Sequence, residues 1–129
     1  IVSMHFVPHN NFILKHERFK PFNAFLGSQI FHEIFVKNGV TDVVFGHSHH
    51  SITAQTIDNV TYHAKPLGYT REWDLTIDYV NQHSELNPTG TWNLSKRYNL
   101  VKKLSDFDKY KNDHLADEFR NSMTIFDLK

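Results

Sequence analysis

The chain has 129 residues, enough for one domain with a hydrophobic core, and its hydrophobic content of 40% favours a globular fold over disorder. Lys plus Arg equal Asp plus Glu at 14 each, so the charge pattern indicates neither a nucleic-acid stripe nor a polybasic membrane patch. The absence of cysteine excludes disulfides and thiolate zinc sites. No apolar run approaches the ~20 residues of a membrane span, and we expect a cytoplasmic protein.

Two further features of the sequence are unusual. Ten histidines are many for this length, and five of them stand at positions 5, 9, 47, 49 and 50. The chain also begins with Ile1-Val2-Ser3, which already has the pattern of a buried strand. We therefore expect these residues to be a piece of a longer protein.

The first fifty residues have the pattern of a βαβ unit, which favours two parallel strands. Apolar residues recur at three- and four-residue steps in the middle of this stretch, as in a helix. These apolar residues are Phe22, Phe25, Leu26, Ile30, Ile34 and Phe35. The predicted elements are a strand at 1–5, a loop at 6–11, an ambiguous stretch at 12–19, a helix from Pro21 to Asn38 and a buried strand at 42–46.

The rest of the chain changes its period. Alternating residues on both sides of Asp58-Asn59 predict a β-hairpin. Charge-rich residues with a helical apolar stripe follow near the C-terminus. The predicted elements are hairpin strands at 51–57 and 60–65, a turn at 66–68, a strand at 73–80, a linker at 81–93, a helix at 94–122 and a short strand at 123–128.

The segment Val-Val-Phe-Gly-His-Ser-His-His at 43–50 is the strongest functional signal. In an extended backbone, residues i and i+2 point to the same side, so His47 and His49 would face one cavity. His5 ends the first strand, and the carboxyl ends of parallel strands share the sheet edge where α/β folds bind ligands. Imidazoles suit divalent transition metals. The sequence therefore predicts a metal site of His5, His47 and His49.

The order of these motifs resembles the calcineurin-like metallophosphoesterase superfamily, in particular its bacterial phosphohydrolases. Members carry Asp-x-His, Gly-Asp-x-x-Asp, Gly-Asn-His-Asp/Glu, a lone His and Gly-His-x-His, in that order. The last two match His5 and Gly46-His47-Ser48-His49, over roughly residues 1–50. The hairpin that follows, with Pro66-Leu67-Gly68-Tyr69, is similar to the closing strands of bacterial members.

The resemblance implies an α/β fold, namely the C-terminal half of a four-layer α-β-β-α sandwich with a C-terminal helical extension. Residues 1–80 would form the C-terminal part of the metallophosphoesterase domain. Residues 81–129 would form a linker and a mainly helical extension that packs on the same domain.

The resemblance also implies a function, the hydrolysis of phosphoric esters by two divalent ions, Mn, Fe or Zn. His5 and His47 would bind one ion and His49 the other, and the substrate would be a small phosphate ester. Because imidazoles ligate when neutral, the site should weaken below about pH 6.

The first three motifs do not occur in these 129 residues. We therefore predict an active intact enzyme but little or no activity of this chain alone. We also expect exposed apolar surface, to be covered by the missing N-terminal half or by an oligomer partner.

Other histidines are weaker candidates. His9, in the loop after His5, and His50, directly after the motif, are predicted to contact substrate. Surface positions on helices or loops are predicted for His16, His32, His83 and His114.

Other functions are compatible with parts of the pattern. An amidohydrolase barrel needs His-x-His on its first strand followed by many βα units, whereas hairpins follow here. A cupin needs a Glu soon after His-x-His, and residues 53–55 are Thr-Ala-Gln. The non-enzymatic alternative is a metal-binding or oligomerisation module.

Overall fold

The structure is a computed structural model that describes residues 1–127, apart from the side chain of Phe19. Two compact units are present: Ile1–Pro66 with the C-terminal segment from Thr124, and Leu67–Met123. The described residues form a four-stranded mixed sheet and five α-helices, which confirms the α/β class. The domain boundary predicted after residue 80 falls within the second unit.

The first unit is built on a sheet with the strand order β1-β2-β4-β3. Its strands are β1 (Val2–Ser3), β2 (Asp42–Val44), β3 (Ile52–Ile57) and β4 (Val60–Ala64). Strand β2 runs parallel to both β1 and β4, whereas β3 and β4 are antiparallel. The predicted parallel pair and the predicted hairpin are therefore confirmed, although β1 and β2 are shorter than predicted.

The hairpin turn has the backbone conformation that its residues favour. Asp58 has φ 48° and Asn59 has φ 65°, both in the left-handed region. A two-residue hairpin loop needs this conformation to match the strand twist, and Asp and Asn tolerate it better than other non-glycine residues. The turn is thus specified locally.

The single helix predicted from Pro21 to Asn38 is wrong, because the segment breaks at Gly27. It contains a 3-10 turn (Glu17–Phe22), helix α1 (Asn23–Leu26) and helix α2 (Ile30–Lys37). At the break, Val7 N donates to Leu26 O at 2.9 Å, and Ser28 N donates to Val7 O at 3.2 Å. Because Leu26 O and Ser28 N bond to the distant residue Val7, they cannot take part in the hydrogen bonds of a continuous helix.

The apolar stripe of this segment is only partly core. Leu26 and Phe35 are buried with the sheet residues. The other four are exposed, with Phe25 at 75%: Phe22, Phe25, Ile30 and Ile34. Helical periodicity identified the apolar face, whereas the short length of α1 and the break at Gly27 decided how much of it packs.

The second unit is helical. Its helices are α3 (Asp74–Gln82), α4 (Leu94–Val101) and α5 (Ser105–Asn121). The strand predicted at 73–80 is wrong, because α3 occupies these residues and Leu75, Thr76, Tyr79 and Val80 are its buried positions. The spacing i, i+1, i+4, i+5 is helical. The apolar residues of this window also alternate over a short stretch, and that alternation led to the predicted strand.

The C-terminal predictions are confirmed in part. The helix predicted at 94–122 is present as α4 and α5, separated at residues 102–104. The linker predicted at 81–93 belongs to the second unit and contains a 3-10 turn, Ser84–Leu86. No strand forms over Met123–Asp127, and Leu128, where the predicted strand ended, lies outside the described residues. Across residues 1–127, none of the helices has the length and apolar character that a membrane crossing requires.

The close approach of Val7 at the helix break leaves room only for glycine at position 27. A Cβ on Gly27 would lie 1.8 Å from Val7 O, so Gly27→Ala must displace the bridge. We expect its free energy of unfolding to fall by about 2 kcal/mol or more. Gly46→Ala is the matched control, because its Cβ would meet only ordinary contacts, at 3.8 Å from Pro66 Cβ and 3.9 Å from His5 O. Urea unfolding followed by circular dichroism measures both; equal losses would contradict this account.

A buried carboxylate caps α3. Glu118 Oε1 accepts from Asp74 N at 3.1 Å, and Oε2 accepts from Leu75 N at 2.9 Å. Glu118→Ala leaves these amides without acceptors, and we expect a loss of about 1.5–3 kcal/mol. The control Asp117→Ala removes an exposed ion pair with Arg120 and should cost less than about 1 kcal/mol. Both tryptophans lie in the second unit, so their fluorescence during urea unfolding reports its stability; similar losses would refute the capping role.

Candidate functional site

His5 and His47 lie side by side where β1 and β2 end. Their ring centroids are 4.5 Å apart, and the rings are inclined by 58°. The strand register explains this proximity, because Ser3 pairs with Val44 and both segments continue past the same edge of the sheet. Gly46 N also donates to His5 O at 3.3 Å, and this bond holds the two segments together beyond the ends of the strands. The topology thus brings these two histidines together, as expected, while metal ligation by them stays a prediction.

An aromatic ring flanks both histidines. The ring of Phe6 lies edge-on to His5 at 5.5 Å and to His47 at 5.4 Å. Phe6 lies in a loop that the sequence predicts at 6–11, and no pattern in the sequence indicates a role for it. The only signal was its position next to His5, which could not show that it also reaches His47.

A backbone carbonyl orients His47. Its Nε2 lies 3.1 Å from Phe25 O, and since a carbonyl can only accept, Nε2 carries the proton. In the neutral ring, Nδ1 then has the lone pair that a metal requires. Histidines that ligate metals usually donate their other N–H to a carbonyl or carboxylate in this way.

The backbone at the second half of the motif is not extended, so the predicted alternation is wrong there. Strand β2 ends at Val44, and His47 and His49 have φ 64° and 54°, in the left-handed region. Ser48 N donates to Gly46 O at 2.7 Å, which makes a tight turn. The rule that i and i+2 share a side therefore does not apply to His47 and His49. Both His49 and His50 are exposed.

The residues fit part of a metal centre. With metal–nitrogen bonds of about 2.0–2.1 Å, an imidazole centroid lies about 3 Å from its metal, so rings 4.5 Å apart suit neighbouring ligands of one ion. Within residues 1–127, however, no group of three or more histidines or carboxylates is placed to hold a metal. As ligands, His5 and His47 would complete only a portion of a coordination shell.

His9 lies in a different cluster. Its ring centroid is 4.6 Å from that of His32 and 6.2 Å from that of Tyr62. Burial lowers the pKa of His9, the charge of His32 lowers it further, and the charge of Asp58 raises it by less. The structure therefore places this predicted substrate contact against α2 and β4.

The surface position predicted for His32 is wrong, because this side chain is 4% exposed. Its Nδ1 lies 2.7 Å from Tyr62 Oη, and its Nε2 lies 3.1 Å from Asp58 Oδ2. Burial, and secondarily the charge of Asp58, raises the pKa of Tyr62 to about 12, so its hydroxyl stays protonated. The hairpin turn covers His32, and no helical periodicity within α2 could show that contact.

The His9 cluster borders an open cleft of about 440 Å³. The side chains that line it are His9, Gln29, His32, Glu33, Val36, Lys37 and Asp58. Polar and charged groups of both signs face this cleft, which no motif in the sequence predicts. Its residues come from a loop, a helix and a hairpin turn that are distant in the chain.

No model of a known protein family matches this sequence, and neither a curated protein nor a solved structure is significantly similar to it. The likeness to metallophosphoesterases therefore rests on His5, on residues 46–49 and on the hairpin that ends in the turn at 66–69.

Proposed function

We propose that this chain is part of a metal-dependent phosphoesterase. In this proposal His5 and His47 bind one divalent ion, His49 binds a second, and the substrate is a phosphoric ester. The fold would be the C-terminal half of a four-layer α-β-β-α sandwich. The observation that carries the proposal is the contact of the His5 and His47 rings, 4.5 Å apart, at the carboxyl edge of two parallel strands.

The surroundings of this pair support ligation. His47 is held by the Phe25 carbonyl in the tautomer whose Nδ1 can bind a metal. The ring of Phe6 also packs against both imidazoles. Because the Phe25 carbonyl already orients His47, this imidazole loses less entropy on metal binding than a mobile surface histidine.

The two ions, Mn, Fe or Zn, would supply Lewis-acid activation of water and of the phosphoryl group. The residues of this chain hold and orient the ions. His5 and His47 act together at one ion because the strand register holds them adjacent. His49 reaches the second ion from the turn that follows.

The proposal requires ligands from outside these 129 residues. The carboxylate and Asn motifs of the family do not occur here, and two neutral imidazoles do not complete a coordination shell. Exposed apolar side chains near α1 and α2 support a covering partner: Phe22, Phe25, Ile30 and Ile34. Large apolar side chains gathered on the surface of one short segment are typical of interaction sites.

Zinc binding tests the ligand pair. The chain should bind Zn²⁺ in competition with a chromophoric chelator. His5→Ala or His47→Ala should weaken binding by more than about tenfold. His114→Ala, which removes an exposed histidine of α5, is the control. Equal affinity of all four proteins would eliminate the pair as a metal site.

Hydrolysis of p-nitrophenyl phosphate and of its bis ester tests the reaction. The 129 residues alone should show almost no Mn²⁺-dependent turnover, because the ligand set is incomplete. The gene product that encloses them should hydrolyse at least one ester, and its coding sequence upstream of Ile1 should encode Asp-x-His and Gly-Asn-His. Metal binding with no hydrolysis by that protein would favour the non-catalytic module, and vigorous turnover by the 129 residues would refute the incomplete centre.

A further inference from the structure

His9 is held in place as a hydrogen-bond acceptor. It opens the 3-10 turn Asn10–Phe12, and its Nδ1 accepts from Asn11 N at 3.0 Å. The neutral ring therefore carries its proton on Nε2. A second proton would occupy Nδ1, which could then no longer accept from Asn11 N. The hydrogen bond would be lost, because both groups would be donors.

The ring of His9 also joins the turn to the rest of the first unit. It lies edge-on to His32 at 82° and contacts Phe12, with centroids 5.9 Å apart. Phe12 is buried in turn against Phe45 and Tyr62, at 5.0 Å and 5.3 Å. The turn is thus held over the core by the rings of His9 and Phe12 and by Asn10 N, which donates to Gln29 Oε1 at 3.0 Å.

Several charged or titratable groups face His9. Helix α2 contributes His32, Glu33 and Lys37 to the shared cleft, β4 contributes Tyr62, and the hairpin turn contributes Asp58. The Asp58 carboxylate, the group whose charge favours protonated His9, is already bonded to His32. Tyr62 remains a neutral hydroxyl, and Glu33 and Lys37 place charges of opposite sign in the cleft, so burial and His32 dominate the setting of His9. This setting disfavours a cation at His9.

We propose that His9 is an acid-sensitive latch: proton uptake by its imidazole releases the turn Asn10–Phe12 from α2 and β4 and opens the cleft beneath. The released imidazole regains water and loses the contact with His32. The device does not depend on the phosphoesterase proposal, because His9 and its partners are distinct from His5 and His47.

The direction of the pH effect follows from linkage. The pKa of His9 is lowered in the closed form from its ordinary 6.5, so the released form binds the proton more tightly. The closed turn is therefore fully favoured above about pH 6.5, and this stability is lost as pH falls from there toward the lower pKa of the closed form. Each pKa unit that separates the two forms is worth about tenfold in the opening equilibrium.

Hydrogen exchange measures the latch directly. Asn11 N donates to His9 Nδ1 and Phe12 N donates to His9 O, so both amides report closure. In the wild type, their protection factors, corrected for intrinsic exchange, should fall as pH decreases from 7.5 to 5. His9→Asn keeps a capping oxygen without a titrating ring, and its protection should not depend on pH in this range.

The matched control is His16→Asn. His16 Nδ1 accepts from Arg18 N at 3.1 Å, which is the same local bond at an exposed position. This variant should retain the wild-type pH dependence at Asn11 and Phe12. Loss of that dependence in the control would assign the effect to another part of the chain and overturn the proposal.

A direct titration keeps the test decisive even if His9→Asn misfolds. The imidazole ¹⁵N shifts of wild-type His9 should show the Nε2-protonated tautomer at pH 7.5 and a pKa below 6.5. A pKa at or above that value would refute the latch. So would pH-independent protection in the wild type, or a His9→Asn variant with the wild-type pH dependence.

Discussion

The parallel pairing of β1 with β2 is the constraint on which the candidate centre depends. Both strands are very short, so the backbone bonds beyond them matter as much as the ladder itself. Met4 N donates to Val44 O at 2.9 Å, and Gly46 N donates to His5 O at 3.3 Å. The fully buried Val43 anchors the pair in the core. These interactions hold His5 and His47 in contact although 42 positions separate them, since a side chain just past a paired strand has little freedom to move away.

The bridge between Val7 and Gly27 also affects the candidate centre. It ends α1 early and holds the end of that helix next to the loop after β1. As a consequence, the carbonyl of Phe25 is available to His47. In a continuous helix this carbonyl would accept from an amide one turn later, and His47 would lose its orienting partner. The break is thus a structural requirement of the site, and Gly27 is needed because no Cβ fits against Val7.

Both units bury polar side chains where a helix meets a distant segment. His32 connects α2 to Tyr62 and to the hairpin turn, and Glu118 of α5 accepts from the first amides of α3. Such groups are costly to bury without partners, so they stabilise only one arrangement of the elements around them. In the first unit this arrangement also creates the cleft beside His9. The protonation state of His9 can therefore affect whether the turn Asn10–Phe12 stays closed over that cleft.

The amino-acid sequence by itself determined the βαβ unit, the hairpin at Asp58-Asn59 and the meeting of His5 with His47. Each of these follows from a short-range pattern combined with a general rule of sheet topology. Only the tertiary structure decided that residues 74–82 are helical, that the segment after Pro21 breaks, and that His32 is buried. It also decided that the backbone at His47 and His49 is left-handed. The break at Gly27 and the burial of His32 depend on contacts with residues far along the chain, and no local window of sequence contains both members of such a pair.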